Sequence, residues 1–169
     1  WDRTIVADKL INQVDLLMIF PIQSPDSSPA HTAPPLRVAT AGEALFDLIE
    51  EPDGRLKPCA GGAVYNLTRA LGLQGVGTQY LNPLAGDMLG RQLAHGLHEA
   101  GVALAAPTPV RAPSALALAA LDAEGKASYS FYRDGVADRQ VTAAALTAAC
   151  AALPDLQVVA TGCLALVAQ

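Results

Sequence analysis

A chain of 169 residues, 51% of them hydrophobic, has the material for one domain with a sizeable core and is not an intrinsically disordered polypeptide. Its net charge of −5 provides no basic footprint for nucleic acid or for an anionic membrane, so neither partner is expected. Three widely spaced cysteines, Cys59, Cys150 and Cys163, contain no Cys-x-x-Cys pair and leave one unmatched. That pattern argues against a disulfide framework or a zinc site and fits a reducing cytoplasm. Charged residues make up 16%, below the roughly 25% usual for soluble domains, which points to structure beyond these residues. The first residue is Trp1 and not Met, so the natural start is expected upstream or removed.

The apolar run Leu16–Phe20 is too short to span a bilayer and is flanked by Asp15 and Pro21. Residues 4–20 carry no periodicity that assigns them. From Pro21 to Pro35 the chain holds five of its twelve prolines with Ser24, Ser27 and Ser28, a composition that resists packing. Residues 1–35 are therefore read as a poorly structured arm or linker, and residues 36–169 as the folded part.

Leu36–Ala41 reads as a buried strand ended by Gly42, and Ala44–Ile49 as a second extended piece before the turn Glu51-Pro52-Asp53-Gly54. Gly61-Gly62-Ala63-Val64-Tyr65-Asn66 then opens a helix with Val64, Leu67 and Leu71 along one side. Adjacent glycines let a ligand approach the backbone, the first-turn N–H groups point toward it, and Asn66 adds a donor and an acceptor. Polyhydroxylated ligands suit that mixture, although Gly-Gly before a helix is by itself a common loop. Val76–Leu81 is a strand; Asp87 is a plausible N-cap for a helix bearing Leu89, Leu93 and Leu97 that stops at Gly101. The alternation of strand and helix predicts a parallel sheet. Ser114–Leu121 and Lys126–Arg133 read as a hairpin turning at Asp122-Ala123-Glu124-Gly125. Thr142 caps a helix over Ala143–Ala152, and Leu156–Thr161 returns as a strand. His95 and His98 beside Glu99 have no third ligand motif, so a metal site is not expected.

Taken in order, Gly42-Glu43-Ala44-Leu45-Phe46-Asp47, Gly61-Gly62-x-x-x-Asn66, Gly86-Asp87-Met88-Leu89-Gly90-Arg91-Gln92-Leu93 and Ser130-Phe131-Tyr132-Arg133 resemble the ribokinase-like (PfkB-type) carbohydrate kinases, especially the fructokinase and 2-keto-3-deoxygluconate kinase branch. The resemblance runs from about Leu36 to the C-terminus and covers the N-terminal half of such an enzyme. It implies a three-layer α/β/α (Rossmann-like) fold with a small β-sheet lid, whose strands lie at about residues 45–60 and 114–133. It implies transfer of the ATP γ-phosphoryl group to a sugar hydroxyl with Mg2+, and it allows a homodimer through the lid. Asp47 matches a carboxylate that accepts hydrogen bonds from sugar hydroxyls, and Gly61, Gly62 and Asn66 match the substrate loop. Arg133 matches a lid residue that reaches toward the substrate, with Phe131 on the same strand face. Asp47 as an ordinary exposed carboxylate, Arg133 as a solvated strand end and Phe131 as lid packing are the plain alternatives.

Two departures matter. Val64 and Tyr65 stand where the family commonly has proline and a small residue, so Tyr65 either narrows the sugar site or faces the core. No Asp-Thr-x-Gly-Ala-Gly-Asp run occurs, so the base and the anion-binding helix start that phosphoryl transfer needs are missing, and no catalytic residue is assigned. No Walker-type or Gly-x-Gly-x-x-Gly motif offers a nucleotide site. The expectation is a sugar-binding half of a ketose or keto-sugar-acid kinase, inactive alone, with the ATP site in the C-terminal half; the alternative is a non-catalytic sugar-binding or dimerisation module. An unpaired strand edge near Val158 and Val159 is expected to promote association.

Overall fold

The computed structural model describes residues 37–121 and 127–166. The arm expected over residues 1–35 and the turn Asp122–Gly125 lie outside the described residues. Among the described residues no helix is long and apolar enough to cross a membrane.

Two four-stranded sheets organise the described residues. The first is all parallel, in the order β5-β4-β1-β8, from β1 (Arg37–Ala41), β4 (Gly77–Tyr80), β5 (Ala103–Leu104) and β8 (Val158–Thr161). The second, in the order β3-β2-β6-β7, is mixed: β2 (Leu45–Glu50) pairs antiparallel with β3 (Leu56–Gly61) and parallel with β6 (Ala115–Leu121), which pairs antiparallel with β7 (Ala127–Tyr132). Only three residues, Gly42–Ala44, separate β1 from β2. β1 is also where the first sheet changes direction, with β4 on one side and β8 on the other. Open α/β sheets bind ligands at the carboxyl ends of strands beside such a switch point, and Gly42 and Glu43 stand there.

Helix α1 (Ala63–Leu73) buries Val64, Tyr65 and Thr68. The expected stripe of Val64, Leu67 and Leu71 is corrected here: Leu67 is 39% exposed. Polar anchors rotate the helix. The Tyr65 hydroxyl donates to the Leu93 carbonyl at 3.3 Å, and Thr68 Oγ1 lies 2.7 Å from the Thr40 hydroxyl. Tyr65 therefore faces the core, packed with Phe46, Tyr80, Leu93 and Leu97. Truncating Leu93 or Leu97 to alanine in such a core costs about 2–5 kcal/mol.

Helix α2 (Met88–Glu99) begins at Asp87 and α3 (Ala143–Ala151) at Thr142, both through the expected caps. Val158 and Val159 of β8 are 42% and 52% exposed at an edge of the first sheet. The short β5 was not foreseen, because two residues hold too little pattern to read.

Asp87 does more than cap. Its Oδ1 accepts from the Gly90 N–H and the Ser114 hydroxyl, and its Oδ2 from the Ser114 N–H, which ties α2 to the start of β6. Burial acts to raise its carboxyl, but these donors outweigh that and hold it below the usual value of 3.8. Because the folded value is depressed, the stabilisation is present above the ordinary carboxylate pKa and is lost as pH falls through the lowered one. Asp87→Ala is expected to destabilise the chain by about 1–2 kcal/mol, read as a lower urea midpoint at pH 7, with the gap to wild type shrinking in acid.

Candidate functional site

The site grows from the loop after β1. Gly42 donates its N–H to Asn82 Oδ1 at 2.9 Å and accepts at its carbonyl from the Tyr80 hydroxyl at 2.6 Å, so neighbouring strand ends hold it from both sides. Glu43 follows, 1% exposed. Its Oε1 accepts from the Ala63 N–H at 3.1 Å, and its carbonyl accepts from the Tyr65 N–H at 3.2 Å. Gly62, the N-cap of α1, has no side chain to offer; Glu43 supplies the acceptors in its place, with its negative charge at the positive end of the helix. The expectation that bare first-turn N–H groups await a ligand is corrected: Glu43 already occupies two of them.

The paired glycines have separate reasons. Gly62 sits at φ 104, and a Cβ there would lie 2.7 Å from the Glu43 carbonyl oxygen. At Gly61 a Cβ would run into Oδ2 of Asp47. The Asp47 carboxylate thus lies directly against bare backbone. Asp47 pairs with Cys59 and Ala117, and Ala117 with Phe131, so these four side chains share one face of the second sheet. Gly61, Leu45 and Ala115 make the neighbouring rung.

Asp47 is half-buried and accepts no hydrogen bond from any described residue. Burial alone pushes its carboxyl above the usual value. Phe131 is 48% exposed and stacks on Tyr129 with ring centroids 6.0 Å apart. Asn66 is exposed on α1, its backbone N–H donating to the Gly62 carbonyl. Arg133 is 5% exposed, and its Nη1 donates to the Leu164 carbonyl at 3.0 Å. The structure therefore sets Asp47, Gly61 and Phe131 on one end and face of the second sheet with Gly62 beside them, buries Arg133, and leaves Asn66 facing solvent.

Sequence reasoning missed Glu43 and Asp138. Asp138 lies in a 3-10 turn (Ala137–Arg139) and is 5% exposed, its backbone carbonyl accepting from Asn82 Nδ2 at 2.7 Å. Burial raises its carboxyl, opposed by Arg133, the Ala44 amide and Arg139, while Glu43 adds to the rise. A cleft of about 170 Å³ lies at the opposite end of the first sheet, lined by Arg37, Thr78, Gln79 and Leu153 among others; it holds none of these groups.

Comparison with known proteins agrees with this geometry. A fructokinase of Rhizobium leguminosarum bv. trifolii is 34% identical over 113 residues, covering 64% of this chain and 34% of the relative. The fructokinase of Xylella fastidiosa, solved with bound ATP, is 33% identical with a TM-score of 0.59, over 64% of this chain and 36% of that one. Over the matched residues the chain is similar to sugar kinases of the ribokinase-like (PfkB-type) family. The apo fructokinase of Vibrio cholerae O395, at 20% identity and a TM-score of 0.62 over 75% of this chain and 53% of its own, supports the ribokinase-like fold. No family model matches the chain. It spans about a third of the length of its Rhizobium relative.

Among the described residues no group of three His, Cys, Asp or Glu side chains could hold a metal ion. At the start of α1, the Glu43 carboxylate stands where a phosphate would have to sit.

Because the folded pKa of Asp47 is raised, its ionisation opposes folding. Stability is expected to fall as pH rises from the unfolded carboxylate's value to the raised folded one, and the full penalty holds above that. Asp47→Asn is therefore expected to melt at a higher temperature than wild type at pH 7, with the two melting curves converging below about pH 3.5.

Proposed function

We propose that the described residues form the sugar-binding part of an ATP-dependent kinase that phosphorylates an alcohol group of a ketose or keto-sugar acid, with Mg2+ and the phosphoryl-transfer groups supplied from outside them. The observation that carries this reading is Asp47: a half-buried carboxylate with no donor among the described residues, laid against Gly61. An ionised carboxylate only accepts, so it selects hydroxyl donors and discriminates against analogues that lack them. Gly61 leaves room for the Asp47 carboxylate against the strand, and Phe131 offers an apolar face on the same side of the sheet.

Glu43 keeps the helix end from competing for the phosphoryl group, so this half orients the acceptor sugar and does not activate it. With no Gly-Ala-Gly-Asp run in the chain, the 169 residues alone are read as inactive. The similarity to fructokinases supports a six-carbon ketose as the first substrate to test.

Calorimetric titration with D-fructose tests the reading. Wild type is expected to bind, and Asp47→Ala to bind about 10- to 100-fold more weakly, the worth of one or two charge-assisted hydrogen bonds. Equal affinities would remove Asp47 from the site. Incubation of the chain with Mg–ATP and fructose, ribose or 2-keto-3-deoxygluconate is expected to yield no sugar phosphate, and robust turnover would refute the inactivity.

A further inference from the structure

The face of the first sheet that packs with α3 carries too little side chain to fill its own space. Arg37, Ala39 and Ala41 alternate onto that face of β1, where Ala39 and Ala41 cluster with Leu153 and Leu156 of the turn after α3. Register sets Gly77 opposite Arg37 and Ala103 opposite Gln79. The floor over β4 and β5 thus offers a hydrogen and a methyl where a close-packed layer would hold branched side chains. The shortfall is the cleft of about 170 Å³ at the amino ends of these strands, with Leu153 and Leu156 in its wall.

Two polar side chains border this mostly apolar space, the exposed Arg37 from β1 and the half-buried Gln79 from β4. Ala39 pairs with Gln79, so Arg37 and Gln79 are diagonal neighbours on adjacent strands, within reach of long side chains. Gln157, one residue after Leu156, fastens the cation's strand to the leucine wall. Its Oε1 accepts from the Arg37 N–H at 3.2 Å, and its own N–H donates to the Arg37 carbonyl at 3.0 Å. Floor, wall and cation are therefore held in one piece, as in a pre-formed pocket. The ion pairs among the described residues, Arg55 with Asp53 and His95 with Glu99, do not include Arg37, and Asp155 between the two leucines makes none with it. A guanidinium beside an amide supplies donors for both oxygens of a carboxylate, and the leucine wall suits a short hydrocarbon tail.

We propose that this cleft is a second binding site, specific for a small aliphatic carboxylate of about four to six carbons, with its charge on Arg37 and Gln79 and its tail against Leu153, Leu156 and Ala103. One cation and one neutral amide match a single negative charge. Inorganic phosphate would set a hydrated, multiply charged ion against leucine, and an alcohol of the same length would leave the guanidinium unanswered. The site goes beyond the sugar-binding reading and is independent of it, since the cleft and the Asp47 face share no residue.

Amide NMR titration of the 169-residue chain with sodium hexanoate tests this, with 1-hexanol as the uncharged probe of the same length. Hexanoate is expected to shift the Gly77, Gly101 and Ala103 amides saturably, with a dissociation constant of about a millimolar, as suits so few atoms. Hexanol is expected to bind at least about tenfold more weakly, and Arg37→Met to weaken hexanoate by at least about tenfold while leaving hexanol unchanged. Absence of saturable shifts at these amides, equal affinity for the two probes, or undiminished hexanoate binding by a folded Arg37→Met protein overturns the inference. Should Arg37→Met fail to fold, Ala103→Leu decides, because it fills the cleft and leaves the guanidinium in place: loss of hexanoate binding supports the site, and retained binding overturns it. D-fructose added to the same samples is expected to leave the three amides unmoved, so the fate of the sugar site is read separately.

Discussion

The double contact between Glu43 and the first turn of α1 is the constraint on which the rest of the site depends. A helix that starts at Gly62 has no capping side chain, and its orphan N–H groups would otherwise require water or a ligand. Glu43 meets one with a carboxylate oxygen and another with its carbonyl. Such a cap is worth about 1 kcal/mol, and an acid at the positive end of a helix adds somewhat under that. Its structural effect is larger than its energy. It fastens the loop leaving β1 to the loop entering α1, which sets Gly61 beside Asp47 and fixes how the second sheet leaves the first.

That contact also decides the chemistry. Helix starts rich in glycine can serve as anion sites, but Glu43 already occupies part of this one. With Glu43 in place, the helix end no longer favours a phosphate, and the polar groups left open to a ligand are Asp47 and neighbouring peptide. The surrounding charges follow the same logic, since two buried acids face two arginines and the balance is close to neutral. A carboxylate kept half-buried without a donor weakens the empty fold. Its retention beside bare backbone makes sense where a ligand brings the missing donors, which is the arrangement expected of a polyol site in a ribokinase-like relative.

Much of the architecture was legible because it rests on local signals. Asp87 and Thr142 cap their helices where turn chemistry places them, Gly101 stops α2 at φ 74, and β6 and β7 pair as a hairpin. What escaped depends on tertiary partners. Glu43 reads as a surface acid, and nothing local shows that a helix twenty residues later needs it. Arg133 reads as a lid residue reaching toward a substrate or as a solvated strand end, yet it is buried, with the Leu164 carbonyl, thirty-one residues on, accepting from it. Leu67 fits the apolar stripe by spacing but loses its place to Tyr65 and Thr68, because a buried hydroxyl with partners on β1 outweighs one more leucine. Asp47 was singled out by the resemblance and the glycines by their pairing at a helix start. Their contact with each other needed coordinates.

The brevity of the Gly42–Ala44 link gives the second sheet a lever's geometry. At about 3.3 Å of rise per residue, Asp47 lies only about 7 Å along β2 from the anchored Leu45, whereas the tip at Glu51–Arg55 stands roughly 20 Å away. A rocking motion pivoting on that fastened root would sweep the tip several times farther than the carboxylate. Displacement at the far end would therefore leave Asp47 almost still, so large and small amplitudes are separated along a single strand.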